Sequence, residues 1–105
     1  MTATYTPDRG DVIWIRLAEA GQSPVLVISA KSYNQATSLL LACPITSQVK
    51  GYPFEVPIAQ DFLNGVVLTD QITSLDWTAR DPKPILKISP DILATILNQL
   101  QLLIS

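Results

Sequence analysis

Residues 39 to 58, LLLACPITSQVKGYPFEVPI, place a polar turn between two runs that read as strands, and the rest of the chain is understood outward from them. Leu39 to Cys43 is continuously apolar and stops at Pro44. That predicts a strand buried on both faces and ended by a residue with no N–H to give to a ladder. Phe54 to Ile58 alternates as a second strand, with Glu55 on its outer face. Between them, Thr46, Ser47 and Gln48 bring three uncharged side chains that both donate and accept hydrogen bonds. Carried on the rim of a sheet, such a set suits contact with a phosphate or a base edge. Hydroxyl and amide residues also favour turns for their own local reasons, so a plain turn stands as the alternative.

Upstream, Asp11 to Leu17 reads as a largely buried first strand at the centre of the sheet. Ala18 to Ser23 connects it to a partner strand at Val25 to Ile28, and Ala30 to Thr37 is long enough for a turn of helix before Ser38 to Cys43. Downstream, Asn64-Gly65 predicts a turn, Val66 to Leu68 and Gln71 to Leu75 flank Thr69-Asp70, and Trp77 to Pro84 is irregular before a strand at Ile85 to Ile88. Ser89-Pro90-Asp91 then starts a helix. Serine suits the cap, proline the first helical position and aspartate the positive end of the dipole. Leu93, Ile96, Leu97, Leu100 and Leu103 recur at helical spacing, opposite Asn98, Gln99 and Gln101. The expected fold is a mostly β (α+β) single domain over residues 1–105, a small, strongly bent antiparallel sheet or barrel with a C-terminal helix.

Composition narrows the chemistry. Of 105 residues 48% are hydrophobic and 15% charged, and the second figure is below the ~25% of an ordinary domain, so the lean polar surface points to a buried homodimer face. The net charge of −2 rules against a broad basic surface condensing on phosphates. Any nucleic-acid groove must be local, drawing on Arg9, Arg16, Lys31, Lys50, Arg80, Lys83 and Lys87. One cysteine, Cys43, excludes an internal disulfide, and its apolar neighbours suggest an inert thiol. With no histidine in the chain, imidazole catalysis and histidine-based metal sites are excluded. No run approaches the ~18 apolar residues of a membrane span, and no secretory signal pattern opens the chain, so a cytoplasmic location is expected.

The run Pro44 to Gln48 followed by KGYPFEV, Lys50 to Val56, resembles the corresponding part of the MazF/PemK (Kid) family of toxin ribonucleases. YTPDRGDVIW at Tyr5 to Trp14 is similar to the family's amino-terminal strand, and GVVLTDQITSL at Gly65 to Leu75 to its Asp-Gln segment, so the resemblance spans essentially the whole chain. It implies the SH3-like barrel shared by the MazF/PemK and CcdB toxins. It also implies a cytoplasmic homodimer that cleaves single-stranded mRNA without metal or cofactor and is held by a MazE-like antitoxin, reaching operator DNA only through that complex. CcdB's gyrase-poisoning role on the same fold is set aside, because the KGYPFEV and Asp-Gln runs belong to the ribonuclease branch.

Carried over residue by residue, the resemblance implies that Thr46 is the catalytic threonine and Glu19 the acidic residue of the first loop. The family's arginine position, just before a proline, is held by Ser23. A guanidinium offers a charged planar fork, whereas a serine hydroxyl gives one neutral donor. Either Arg16, at the end of the first strand, supplies the missing charge, or the chain is a weakened relative that survives as an antitoxin-binding module acting in operator DNA binding. Ser47, Gln48, Lys50, Tyr52 and Phe54 are the candidates for contact with RNA, with Asp70 either catalytic, as in the Kid branch, or bracing its turn with Gln71. Trp77 and Tyr52 are further stacking candidates, while Trp14 is expected in the core.

Overall fold

A computed structural model describes residues 5–17 and 21–105. Its strands are β1 (Asp11–Leu17), β2 (Gly21–Val27), β3 (Leu39–Thr46), β4 (Glu55–Gln60), β5 (Leu63–Leu68), β6 (Thr73–Asp76) and β7 (Lys83–Lys87), with helices α1 (Lys31–Thr37) and α2 (Pro90–Ile104). The sheet runs β4-β5-β3-β2-β1-β7, and β6 pairs with β3 off that path. All the pairings are antiparallel. The result is a curled half-barrel closed by a terminal helix, in agreement with the mostly β expectation.

The centre of this sheet is β3 and not β1, which lies between β2 and β7, one strand from the edge. One edge of β3 follows β2 from Val27↔Ala42 to Val25↔Pro44. The other edge is shared, with β6 opposite Leu39 to Ala42 and β5 opposite Ile45 and Thr46. Pro44 therefore sits inside the strand and does not end it. It falls in the handover, where pairing with β6 has stopped and pairing with β5 has not begun, so its missing N–H breaks no ladder on that edge.

The Asn64-Gly65 turn is also displaced. The reversal occurs at Asp61-Phe62, between the paired Gln60 and Leu63, with Asp61 at φ 54°, while Asn64 and Gly65 lie within β5. Glycine is needed at 65 because β3 passes so close: a Cβ there would stand 2.3 Å from the carbonyl oxygen of Thr46. Farther on, Thr69–Gln71 and Trp77–Ala79 are 3-10 turns, so the sixth strand starts at Thr73 and not at Gln71, and the seventh at Lys83 and not at Ile85.

Each face of the sheet carries its own core, which is why β1 and β3 read as unbroken apolar runs. On one side Val12, Leu26, Cys43, Ile45, Val56, Ile58 and Val67 pack under Ile96 and Leu100 of α2. Leu93, Leu97 and Leu103 complete the stripe expected of the helix, and Ser89 caps it by accepting from the Ile92 N–H. Burial pushes the Cys43 thiol up to about 12, consistent with an inert core residue. On the other side Ile13, Ile15, Val25, Val27, Leu40, Ala42 and Trp77 form the second cluster. Trp14 belongs to neither and is 37% exposed, against the expectation of a core residue. Trp77 is buried, its indole N–H donating to the Asn34 carbonyl at 3.0 Å, which removes it from the stacking candidates.

The amino-terminal segment is tied to this second side by polar groups. Asn34 is fully buried, and its amide donates to the carbonyls of Pro7 at 2.8 Å and Ser29 at 3.1 Å. Asp8 accepts the Lys31 N–H at 2.9 Å and the Arg9 N–H at 2.8 Å. The Lys31 bond is the largest cause holding the Asp8 carboxyl below its usual value of 3.8, helped by the Arg9 bond and the charges of Lys87 and Lys31. A depressed carboxylate stabilises the fold above its unfolded pKa, and that contribution is lost as the pH falls through the folded one. Asp8→Asn is therefore expected to reduce the loss of unfolding free energy between about pH 7 and about pH 3 by no more than ~1 kcal/mol for so exposed a group, read from denaturant melts at the two pH values.

Candidate active site

Paired residues on antiparallel strands share a face, as do alternate residues along one strand. The registers Thr46↔Val66 and Glu55↔Leu68 therefore turn Thr46, Leu68 and Glu55 to the same side of the sheet. They line a cleft of about 220 Å³ with Gln48, Lys50, Tyr52, Asp70 and Gln71. That is smaller than the ~300–1,000 Å³ of a small-molecule pocket, and suits one group of a longer chain lying across the rim.

The loop that carries Gln48, Lys50 and Tyr52 is held from both ends. The Thr46 hydroxyl oxygen accepts the Gln48 N–H at 3.1 Å, which leaves its O–H free to donate into the cleft. At the far end, Glu55 accepts the Lys50 N–H with both carboxylate oxygens at 3.2 Å and the Gly51 N–H at 2.9 Å. Gly51 makes the turn, at φ 80°. The following residues are fixed to the Asp70 segment: the Phe54 carbonyl accepts from the Thr69 N–H at 3.2 Å and from its buried hydroxyl at 2.7 Å. Thr46, Lys50 and Asp70 are thus set on one frame.

Residues 8–104 match the family of PemK-like, MazF-like toxins of type II toxin–antitoxin systems. The chain belongs to this family. It is 37% identical over 110 residues to the endoribonuclease toxin MazF of Escherichia coli, covering 99% of each chain. It is similar in structure to the MazE–MazF crystal structure from Deinococcus radiodurans, at 40% identity and a TM-score of 0.91, covering 97% of this chain and 98% of that one. MazF from the same organism, crystallised in another form, aligns at 38% identity and a TM-score of 0.89, covering 96% of this chain and 98% of that one.

In this MazF-like toxin the expected site residues separate into two groups. Thr46, Gln48, Lys50, Tyr52 and Asp70 meet at the cleft. Ser47 is exposed and Phe54 half-buried, and neither lines the cleft; the Phe54 carbonyl serves only to hold Thr69. Ser23 of β2 pairs with Ile15 of β1 and lies two residues beyond the last β2–β3 pair, Val25↔Pro44; alternation puts it on the same face as Pro44 and Thr46, but it does not line the cleft.

Arg16 does not join them. It pairs with Gln22, the neighbour of Ser23, so its side chain leaves the opposite face of the sheet. Its guanidinium stands 3.9 Å from Asp81. Adjacency of Arg16 to Ser23 was legible in the sequence, but the side depends on a register set by the hairpin. Glu19 lies outside the described residues. Glu55 as the anchor of the loop went unforeseen; the signal for it is a carboxylate four residues after a turn glycine, where it can reach back to the open amides.

Proposed function

We propose that this toxin is an endoribonuclease that cleaves single-stranded RNA through the neighbouring 2′-hydroxyl, without a metal. In that reaction the 2′ oxygen bonds to phosphorus as the bond from phosphorus to the 5′ oxygen breaks. The 2′-hydroxyl proton passes to a carboxylate base and the leaving 5′ oxygen takes up a proton from water, giving a cyclic phosphate and a 5′-hydroxyl, with the base returning its proton to solvent. The chain's own residues divide this work. The Thr46 hydroxyl, freed by its bond from Gln48, donates to a phosphate oxygen, Asp70 or Glu19 takes the proton, and Gln48 and Tyr52 hold the flanking nucleotides by hydrogen bond and stacking.

The observation that carries this reading is the convergence of Thr46, Lys50 and Asp70 on one rim, fixed by Glu55 and Thr69. Likeness to a curated endoribonuclease over 99% of the chain favours catalysis over the binding-module alternative, which rests on Ser23 alone. The same reading makes the toxin a cytoplasmic homodimer, neutralised by a MazE-like antitoxin and brought to operator DNA only within that complex. No helix among the described residues is long and apolar enough to cross a membrane. The exposed Leu102 and Ile104 at the end of α2, 61% and 85% accessible, supply apolar surface for such pairing. Thr46→Ala is expected to slow cleavage of an unstructured RNA on the order of a hundredfold with little change in melting temperature. Cleavage at the unmodified rate would remove the rim from the chemistry.

A further inference from the structure

We propose that the Lys50 ammonium is the positive charge this chain sets against the phosphate during cleavage, with Glu55 as the positioning residue that aims it; this rests on the nuclease reading above. The argument is one of elimination and then of geometry. The chain has seven lysines and arginines and no histidine. Five of the seven are occupied elsewhere. The Arg9 Nε donates to the Ile28 carbonyl at 2.7 Å, and Arg80 donates to the Arg16 carbonyl at 3.0 Å. Arg16 and Lys83 flank Asp81 at 3.9 and 3.6 Å, and Lys87 donates to Asp11 at 2.8 Å.

Among the described residues, Lys31 and Lys50 are the cations whose side chains enter no such bond. Of these, Lys50 lines the cleft with Thr46, and Lys31 stands at the start of α1. A phosphodiester gains negative charge as the fifth oxygen arrives, so a fixed cation lowers the barrier more than it tightens binding. Lysine is a point charge on a flexible stem and gains direction only from what holds its backbone. Here that is the Glu55 carboxylate, bonded to the amides of Lys50 and Gly51 and, among the described residues, paired with no cation.

The test is single-turnover cleavage of a long unstructured RNA by the full chain, with affinity read separately on the same RNA blocked by 2′-O-methyl groups. Lys50→Ala is expected to lose on the order of a hundredfold in rate at saturating protein and less than about tenfold in affinity, Lys50→Arg to retain most of the rate, and Lys31→Ala to change neither. Glu55→Gln, which keeps one acceptor oxygen, is expected to fall between the parent and Glu55→Ala, with affinity again little moved. Full-rate cleavage by Lys50→Ala, or a loss that saturating protein restores, would overturn the proposal while leaving the nuclease reading intact. Binding of the blocked RNA by the parent chain with no cleavage of the unblocked one would overturn the nuclease reading itself, and the role of Lys50 with it.

Discussion

Ser23→Arg is expected to raise the rate of RNA cleavage, on the order of a hundredfold where Lys50 has been replaced by alanine and less in the parent chain. The asymmetry follows from what each cation does. If Lys50 already offsets the charge developing on the phosphate, a second cation adds little, whereas in its absence a guanidinium on the Thr46 face restores what was removed. Ser23 is half-buried and, by alternation, its side chain leaves the same face as Thr46, so a guanidinium at this position is on the side of the sheet that carries the cleft. Rates of parent, Ser23→Arg, Lys50→Ala and the double variant form a cycle. Equal factors in both backgrounds would mean that the two positions act independently, and that Lys50 does not stand in for the arginine.

Gly65→Ala is expected to cost ~3 kcal/mol of stability, at the upper end for an overpacked site, and to lower the melting temperature by more than about 10 °C. The new methyl would lie 2.3 Å from the Thr46 carbonyl oxygen and 3.0 Å from its carbon, both backbone atoms that no rotamer change can move. Relief requires β3 and β5 to part where they pair, at Thr46↔Val66. The same substitution therefore strains the residue proposed to donate to the phosphate, and cleavage is expected to fall even at temperatures where the variant stays folded. Thermal melts and rates measured on one preparation check both effects; an unchanged melting temperature would mean that the close approach of the two strands is not maintained in solution.

How far the fold was legible depended on whether local chemistry or long-range pairing decided each element. Ser89-Pro90-Asp91 announces α2 because cap, proline and dipole act within one turn. Pro44 and Asn64-Gly65 misled for the opposite reason: both carry strong local meanings, strand end and turn, which the handover on β3 and the close passage of β5 override. Trp14 reads as core by hydrophobicity and is partly exposed because, although alternation gives it the face of Val12, neither cluster of the core extends along β1 to cover it. The Thr46 rim could be found from its hydrogen-bonding residues. Its partner across the cleft, Asp70, was found through the Asp-Gln run, and Glu55 was not, since what matters there is a carboxylate reaching back to two open amides.

The central claim is that one rim of a curled sheet, bearing Thr46, Lys50 and Asp70, performs RNA cleavage with the substrate's own 2′-hydroxyl as nucleophile. It is tested most directly by incubating the parent chain, in excess chelator, with an unstructured RNA and with the same RNA carrying 2′-deoxy sugars, and determining fragment ends by mass spectrometry. The account predicts discrete fragments ending in cyclic phosphate from the first and none from the second. Fragments from the deoxy substrate, or ends carrying a 3′-hydroxyl, would contradict it.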